Sequence, residues 1–352
     1  MSGLCTLCPR NCKADRSVGK VGFCGVPDEI YVARASLHMW EEPCLSGTKG
    51  SGTVFFMGCN LKCVYCQNHT IALGTTEDVQ NPKTTFQQSP AAPSFSGHNF
   101  PLYGKKLTPS DLAQVFLLLQ QAGAHNINLV TPSHYVPRIR QALLLAKADG
   151  LTLPIVYNSS GYELPDTLKL LDGLVDIYMP DFKYMSPSLS ARYSHAADYP
   201  EIAQAALAEM YRQVGKPVFS NTPDRPSSPG EKQAEIATQN DVCVAEPLMT
   251  RGVLVRYLLL PGCLKDGKAV LEYLHTTYGD NIYISIMNQY TPQSARLADY
   301  PELDRRVTTY EYNSLVDYAL TLGIENAYIQ EGKTAKESFI PDFEDAGFLT
   351  FL

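Results

Sequence analysis

No stretch of this 352-residue chain approaches the about eighteen consecutive apolar residues that a membrane-spanning helix needs, although 45% of its residues are hydrophobic. Residues 1–16 lack the apolar core of a secretory signal, so the expectation is a cytoplasmic protein with no membrane partner. Positive charge is also scarce. The 29 Lys and Arg stand against 36 Asp and Glu, and a net charge of −7 disfavours a broad phosphate-tracking surface and hence a nucleic-acid partner. No repeat of fixed length runs through the chain. What the chain does have is ten cysteines. With no export signal, they argue for metal or redox use in a reducing compartment and against a disulfide framework.

Three of the cysteines fall in GCNLKCVYCQN: Cys59, Cys63 and Cys66, spaced Cys-x3-Cys-x2-Cys after a strand-like run, Thr53–Met57, and Gly58. Three thiolates from one short loop can hold three irons of a [4Fe–4S] cube, which normally takes four Cys ligands. The fourth iron then keeps an open position, as catalytic metal sites do. A zinc knuckle would close four ligands with paired arms; this loop supplies three, with His69 nearby as a loop histidine. Upstream, Cys5, Cys8, Cys12 and Cys24 are interleaved with Gly19, Gly22 and Gly25 and read as one small metal-binding knuckle. Its spacing fits zinc or a second iron–sulfur cluster equally, because both accept four thiolates. Cys44 is either one more ligand or a small buried hydrophobe.

The remainder alternates strand and helix. Strand-like runs occur at Thr53–Met57, Ile127–Val130, Ile155–Tyr157, Val175–Met179, Val253–Leu260 and Ile282–Met287. Helical stretches between and after them are Pro109–Gln121, Val136–Ala148, Leu164–Leu171, Glu201–Val214, Lys268–Tyr278 and Tyr310–Leu322. In the first helix Leu112, Val115, Phe116 and Leu119 follow helical spacing, with Ser110 as the expected N-cap. Six βα repeats predict an α/β fold with a parallel sheet curled into a partial (β/α)6 barrel, its active residues at the C-terminal strand ends. The expected organisation is a Cys-rich N-terminal extension over 1–50 and a barrel over 51–352. Aperiodic insertions rich in Pro, Ser and Thr interrupt it near 74–106 and 216–239.

The Cys59–Cys66 spacing, with Tyr65 before the last cysteine, resembles the signature of the radical S-adenosylmethionine (SAM) superfamily. That resemblance implies a partial barrel and a [4Fe–4S] cluster whose open iron is chelated by SAM. It also implies reductive cleavage of the sulfonium to a 5′-deoxyadenosyl radical, which abstracts a hydrogen atom. The segments VYNSSGY and IYMPDFKY are similar to those that hold SAM in pyruvate formate-lyase activating enzyme, a glycyl-radical-enzyme activase. The similarity carries over Met179, Asp181 and Lys183, with Lys183 as partner for the SAM carboxylate and Asp181 ordering it or binding a cation. Asp181 and Lys183 are two apart, so on an extended segment both point one way. Where the activating enzyme has an acidic residue on strand three, this chain has Asn158, followed by Ser159.

Arg256 is a charge inside the apolar run VLVRYLLLPG. A buried arginine requires an anionic partner, and the corresponding arginine of the activating enzymes faces SAM. Asn288 and Gln289, at the sixth strand's end, are polar groups suited to adenine or ribose. After the second strand, VTPSHYVP departs from the superfamily's Gly-Gly-Glu turn. Pro132 lacks an N–H, which leaves the Thr131 carbonyl as an acceptor, and His134 either starts a helix or takes part in the chemistry.

Together these imply an enzyme, of the activase type, that takes a hydrogen atom from a glycine of a partner glycyl-radical enzyme. Its reductant would be a flavodoxin or ferredoxin. The alternatives are a radical SAM enzyme acting on a peptide or small molecule, and a non-enzymatic metal or electron-transfer protein.

Overall fold

The computed structural model describes residues 3–73, 104–220, 247–330, 343 and 346–352. Residues 74–103 and 221–239 of the expected insertions lie outside the described residues. Their described ends include two short strands, β3 (Lys105–Leu107) and β7 (Val218–Phe219).

The six expected strands are all present, as β2 (Ser51–Phe56), β4 (Ile127–Val130), β5 (Ile155–Ser159), β6 (Ile177–Pro180), β8 (Met249–Leu258) and β9 (Tyr283–Met287). A further parallel strand, β10 (Ala327–Ile329), pairs with β9. These seven strands run parallel and lie side by side in chain order. An order that never reverses winds one way, as barrels do, whereas a doubly wound sheet turns back at a switch point. The α/β partial barrel expected from the sequence is therefore the fold. β10 was missed because its three residues, only partly buried, are too short to show a period.

Beyond β2 the sheet continues with β1 (Ile30–His38), antiparallel to β2, and then β3. Part of the segment assigned to a Cys-rich extension over 1–50 is thus a strand of the main sheet. An irregularity between Val32 and Arg34 breaks the two-residue alternation that would have marked it.

Two apolar clusters lie on opposite faces of the sheet. Ile155, Tyr157, Tyr178, Val253, Val255 and Tyr257 join the helices in the larger one. Val156, Ile177, Met179, Met249 and Leu254 form the smaller, in which Cys44 and Leu45 are fully buried. Cys44 is thus a core residue. It belongs to the β1–β2 connection, whose short helix Pro43–Ser46 enters the concave face. The Asn126 amide there donates to the Leu45 carbonyl at 2.8 Å. This plug supplies the apolar surface that the concave face of an open barrel would otherwise leave wet.

The helix Pro109–Gln121 buries Leu112, Val115, Phe116 and Leu119 as their spacing predicts. Its cap is Thr108 and not Ser110, in a reciprocal capping box with Asp111. Pro109 takes the first helical position, where a missing N–H costs nothing, so the cap falls one residue earlier. Among the described residues no helix is long and apolar enough to cross a membrane.

Candidate cluster and cofactor site

The three-cysteine loop leaves the C-terminal end of β2 through Gly58, at φ +85°. A Cβ at this position would meet the Cys24 carbonyl oxygen at 2.7 Å and Val26 Cγ1 at 2.8 Å, so the turn requires glycine. Cys59 Sγ accepts from the Leu61 and Lys62 amides at 3.3 and 3.5 Å. Cys63 Sγ accepts from the Ser194 hydroxyl at 3.1 Å. Behind Ser194 the hydroxyl chain continues to Tyr184 at 2.8 Å and on to Tyr65 at 2.7 Å.

Burial pushes the Cys59 thiol up and the Cys66 thiol up to about 12, with the neighbouring cysteines adding to both. Such thiols ionise when a cationic centre compensates them, and their preset N–H and O–H donors suit a thiolate. Among the described residues no three His, Cys, Asp or Glu side chains converge as ligands of one metal ion. The ligands of an iron–sulfur cube each hold a different iron, so three spaced thiols on one loop fit the cube and not a zinc ion.

The same finding bears on the N-terminal cysteines. Cys5 and Cys12 hydrogen-bond to each other, which raises Cys5 and lowers Cys12. Among the described residues no three of Cys5, Cys8, Cys12 and Cys24 converge as ligands of one metal ion. Their segment instead fastens the cluster loop. From between Cys8 and Cys12, Arg10 donates to the carbonyls of Asn60 at 2.9 Å, Leu61 at 3.3 Å and Ser194 at 3.0 Å, and to that of His195. Its guanidinium also lies 3.9 Å from the Phe23 ring centroid. Nothing in the sequence marked Arg10.

Arg10→Ala is expected to cost roughly 2–4 kcal/mol of stability in urea unfolding of the apo protein, because it strands part-buried carbonyls. Arg10→Lys should recover little, since one ammonium cannot span four acceptors. A loss below about 0.5 kcal/mol for Arg10→Ala, the scale of an ordinary surface substitution, would refute the clamp.

A second group of side chains stands at the ends of β5, β6 and β8. Asn158, Asp181 and Arg256 share the concave face with Val156, Met179 and Leu254. Lys183 Nζ lies 2.7 Å from Asp181 Oδ2. Arg256 donates from Nε to Asp181 Oδ1 at 3.0 Å and from Nη2 to Asn158 Oδ1 at 2.7 Å. Burial opposes every one of these charges. The two cations nevertheless hold the Asp181 carboxyl below its usual range, and Asp181 in turn holds Lys183 and Arg256 above theirs. Cys63 helps to raise Lys183, and Lys183 works to lower Cys66. The ammonium therefore sits within electrostatic reach of the cysteine loop.

Four of the sequence-expected residues, Asn158, Asp181, Lys183 and Arg256, thus form one network, and through Lys183 it comes within electrostatic reach of Cys63 and Cys66. Ser159 stands apart from it. Its hydroxyl accepts from the Gly161 amide at 3.2 Å and lies beside fully buried Glu163. Burial holds the Glu163 carboxyl up at about 7, and it also bonds Ser133 and Tyr157.

His134 is fully buried, its Nε2 2.7 Å from the Met57 carbonyl oxygen. Burial and then Arg16 push it down to about 3, so the ring is a neutral donor tying the β4 loop to the end of β2. Thr131 adopts φ +59°, an outlier for a β-branched residue and a mark of stored strain at a strand end. After β9 the chain returns to the cysteines. Gln67 donates to the Gln289 carbonyl at 3.0 Å, Gln293 donates to the Cys66 carbonyl at 3.1 Å, and the Asn288 amide binds Gln330.

The family model described as the radical SAM superfamily matches residues 53–224. Those residues, just under half of the chain, are thus similar to the radical SAM superfamily. They include the three cysteines, Asn158, Asp181 and Lys183, while Glu41 and Arg256 lie outside the matched residues. A radical SAM domain implies a [4Fe–4S] cluster and SAM, which the donor set above fits. An uncharacterized protein of Methanocaldococcus jannaschii, MJ0674, is 25% identical over 329 residues, covering 92% of this chain and 76% of that protein.

Among solved structures, Streptococcus suis SuiB bound to precursor peptide SuiA matches with a TM-score of 0.44 at 9% identity. That match covers 78% of this chain and 47% of SuiB. Methylornithine synthase (PylB) matches with a TM-score of 0.43 at 13% identity, covering 77% of this chain and 60% of that one. The chain thus spans about half the length of SuiB.

Proposed function

We propose that this protein is a radical SAM enzyme that activates a glycyl-radical enzyme, drawing electrons from a flavodoxin or ferredoxin and taking a hydrogen atom from a glycine of its partner. The supporting observation is the juxtaposition at the strand ends. A three-thiol loop faces a lysine held by Asp181, within a segment, Met179–Lys183, similar to that of the activating enzymes. When bound, the cluster and SAM supply one-electron cleavage of the sulfonium and the adenosyl radical that removes a hydrogen atom.

The chain's own residues do the rest. Cys59, Cys63 and Cys66 would hold the cluster through three irons, which leaves an open position for SAM. Lys183 offers an ammonium to the SAM carboxylate, and Asp181 fixes where that ammonium stands. The β1–β2 plug, with Cys44 and Leu45 fully buried, keeps water from the barrel lumen behind the site. No general base is needed, because a hydrogen atom and not a proton leaves the substrate. Selectivity comes from geometry, through placement of the target hydrogen near the reacting carbon.

The test uses anaerobically reconstituted protein, reduced flavodoxin, SAM and a purified glycyl-radical enzyme whose glycines are α-deuterated. Deuterium is expected in the 5′-deoxyadenosine formed, with a glycyl radical on the partner. If 5′-deoxyadenosine forms without deuterium transfer, the activase reading fails and a peptide or small-molecule substrate takes its place.

A further inference from the structure

Around Arg256 the charges do not balance within the strand-end network. Arg256 and Lys183 are two cations whose side chains are only 18% and 15% exposed, and Asp181 is a single carboxylate shared between them. The neutral amide of Asn158 supplies an acceptor but no charge. A second carboxylate comes from the plug. Glu41, 10% exposed, brings Oε2 to 3.8 Å from Arg256 Nη1. Its other oxygen accepts from the Asn128 amide at 2.9 Å, so β4 fixes its direction. Neighbouring Glu42 also faces Arg256, and burial pushes its carboxyl up, toward the neutral form. The ionic row therefore runs from Glu41 to Arg256, Asp181 and Lys183, ending beside Cys63 and Cys66.

We propose that Glu41 is a positioning residue of the SAM site: carried into the barrel lumen by the β1–β2 connection, it holds Arg256 and, through Asp181, sets the place of Lys183. Two physical effects carry this, and both have one sign. With Glu41 charged, Arg256 divides its attraction between two carboxylates, and Asp181 remains free to hold Lys183 at 2.7 Å. With Glu41 neutral, Asp181 is left as the ion-pair partner of Arg256 among the described residues and is drawn toward it, away from Lys183. The field changes as well. Two carboxylates against two cations leave the row near neutral, whereas one leaves it positive. SAM, with a sulfonium, an ammonium and a carboxylate, carries a net positive charge and binds less well to a more positive site.

The inference deepens the proposed function and rests on SAM binding at this site. The experiment measures SAM affinity by equilibrium dialysis on reconstituted wild-type, Glu41→Gln, Glu41→Asp and Lys183→Ala proteins and on the Glu41→Gln/Lys183→Ala double variant. Iron content and thermal midpoint are followed in parallel. Glu41→Gln is expected to weaken SAM binding about fivefold to twentyfold, the scale of one charge contact in a partly buried pair, with iron content and midpoint unchanged.

In the Lys183→Ala background the same change should have a clearly smaller effect, because the part that acts through Lys183 is gone and only the change of field remains. Glu41→Asp, which keeps the charge but shortens its reach, should fall between wild type and Glu41→Gln; it also serves as the test if Glu41→Gln does not fold. Unchanged affinity in Glu41→Gln or Glu41→Asp, or losses that simply add in the double variant, would overturn the inference alone. Wild-type protein that binds no SAM would overturn the functional reading beneath it.

Discussion

Replacing any one of Cys59, Cys63 and Cys66 by alanine is expected to abolish 5′-deoxyadenosine formation and to strip most of the iron from the reconstituted protein. The size of the effect follows from the donor count. The loop offers three thiolates for a cube that normally takes four, so nothing is in reserve. Neighbouring groups are preset for sulfur as well. The Leu61 and Lys62 amides point at Cys59, and the Ser194 hydroxyl points at Cys63, so truncation strands these donors in a buried site. Iron analysis and product assay on Cys63→Ala decide the matter. Wild-type turnover by that protein would mean the loop does not carry the cluster.

Lys183→Ala should leave the cluster in place and weaken SAM binding by roughly 1.5–3 kcal/mol, the range for a hydrogen bond to a charged group. That corresponds to about a tenfold to 150-fold rise in Kd. An ammonium cannot ligate iron, so iron content separates this effect from that of a cysteine variant. A titration of SAM followed through the cluster's EPR spectrum reads it directly. Unchanged affinity would return Lys183 to a plain ion pair with Asp181, and loss of the cluster would make it a support of the fold.

Asp181 has a different standing. It is shared by Lys183 and Arg256, so its removal takes from buried Lys183 the carboxylate that holds it, leaves Arg256 to Glu41, and threatens the fold before it touches affinity. From the sequence Asp181 looked like an orienting residue for one lysine; in the structure it is the hinge of the whole row.

Local chemistry was legible in the sequence wherever the information lay within a few residues. The Cys-x3-Cys-x2-Cys spacing fixes which thiols can share one cluster, whatever surrounds them. A two-residue separation was enough to place Asp181 and Lys183 side by side, because extended backbone alternates. Arg256 advertised itself as a charge in an apolar strand, and its need for an anion is met by Asp181. The parallel barrel followed from six strand–helix alternations, each long enough to show its period.

Only the tertiary structure decided the contacts that cross the chain. Arg10 reaches carbonyls some 50 and 185 residues away, and Glu41 reaches Asn128 and Arg256; neither pairing leaves a period or a motif in the sequence. The plug reads as an ordinary loop until the barrel curls around it, because an open barrel has to cover an apolar concave face that no single segment displays. Spacing alone makes the N-terminal thiols read as a metal knuckle and does not show what else their segment holds. Here the fold spends that segment on holding the cluster loop, since the loop's turned-out carbonyls need donors and Arg10 is the group the folded chain brings to them.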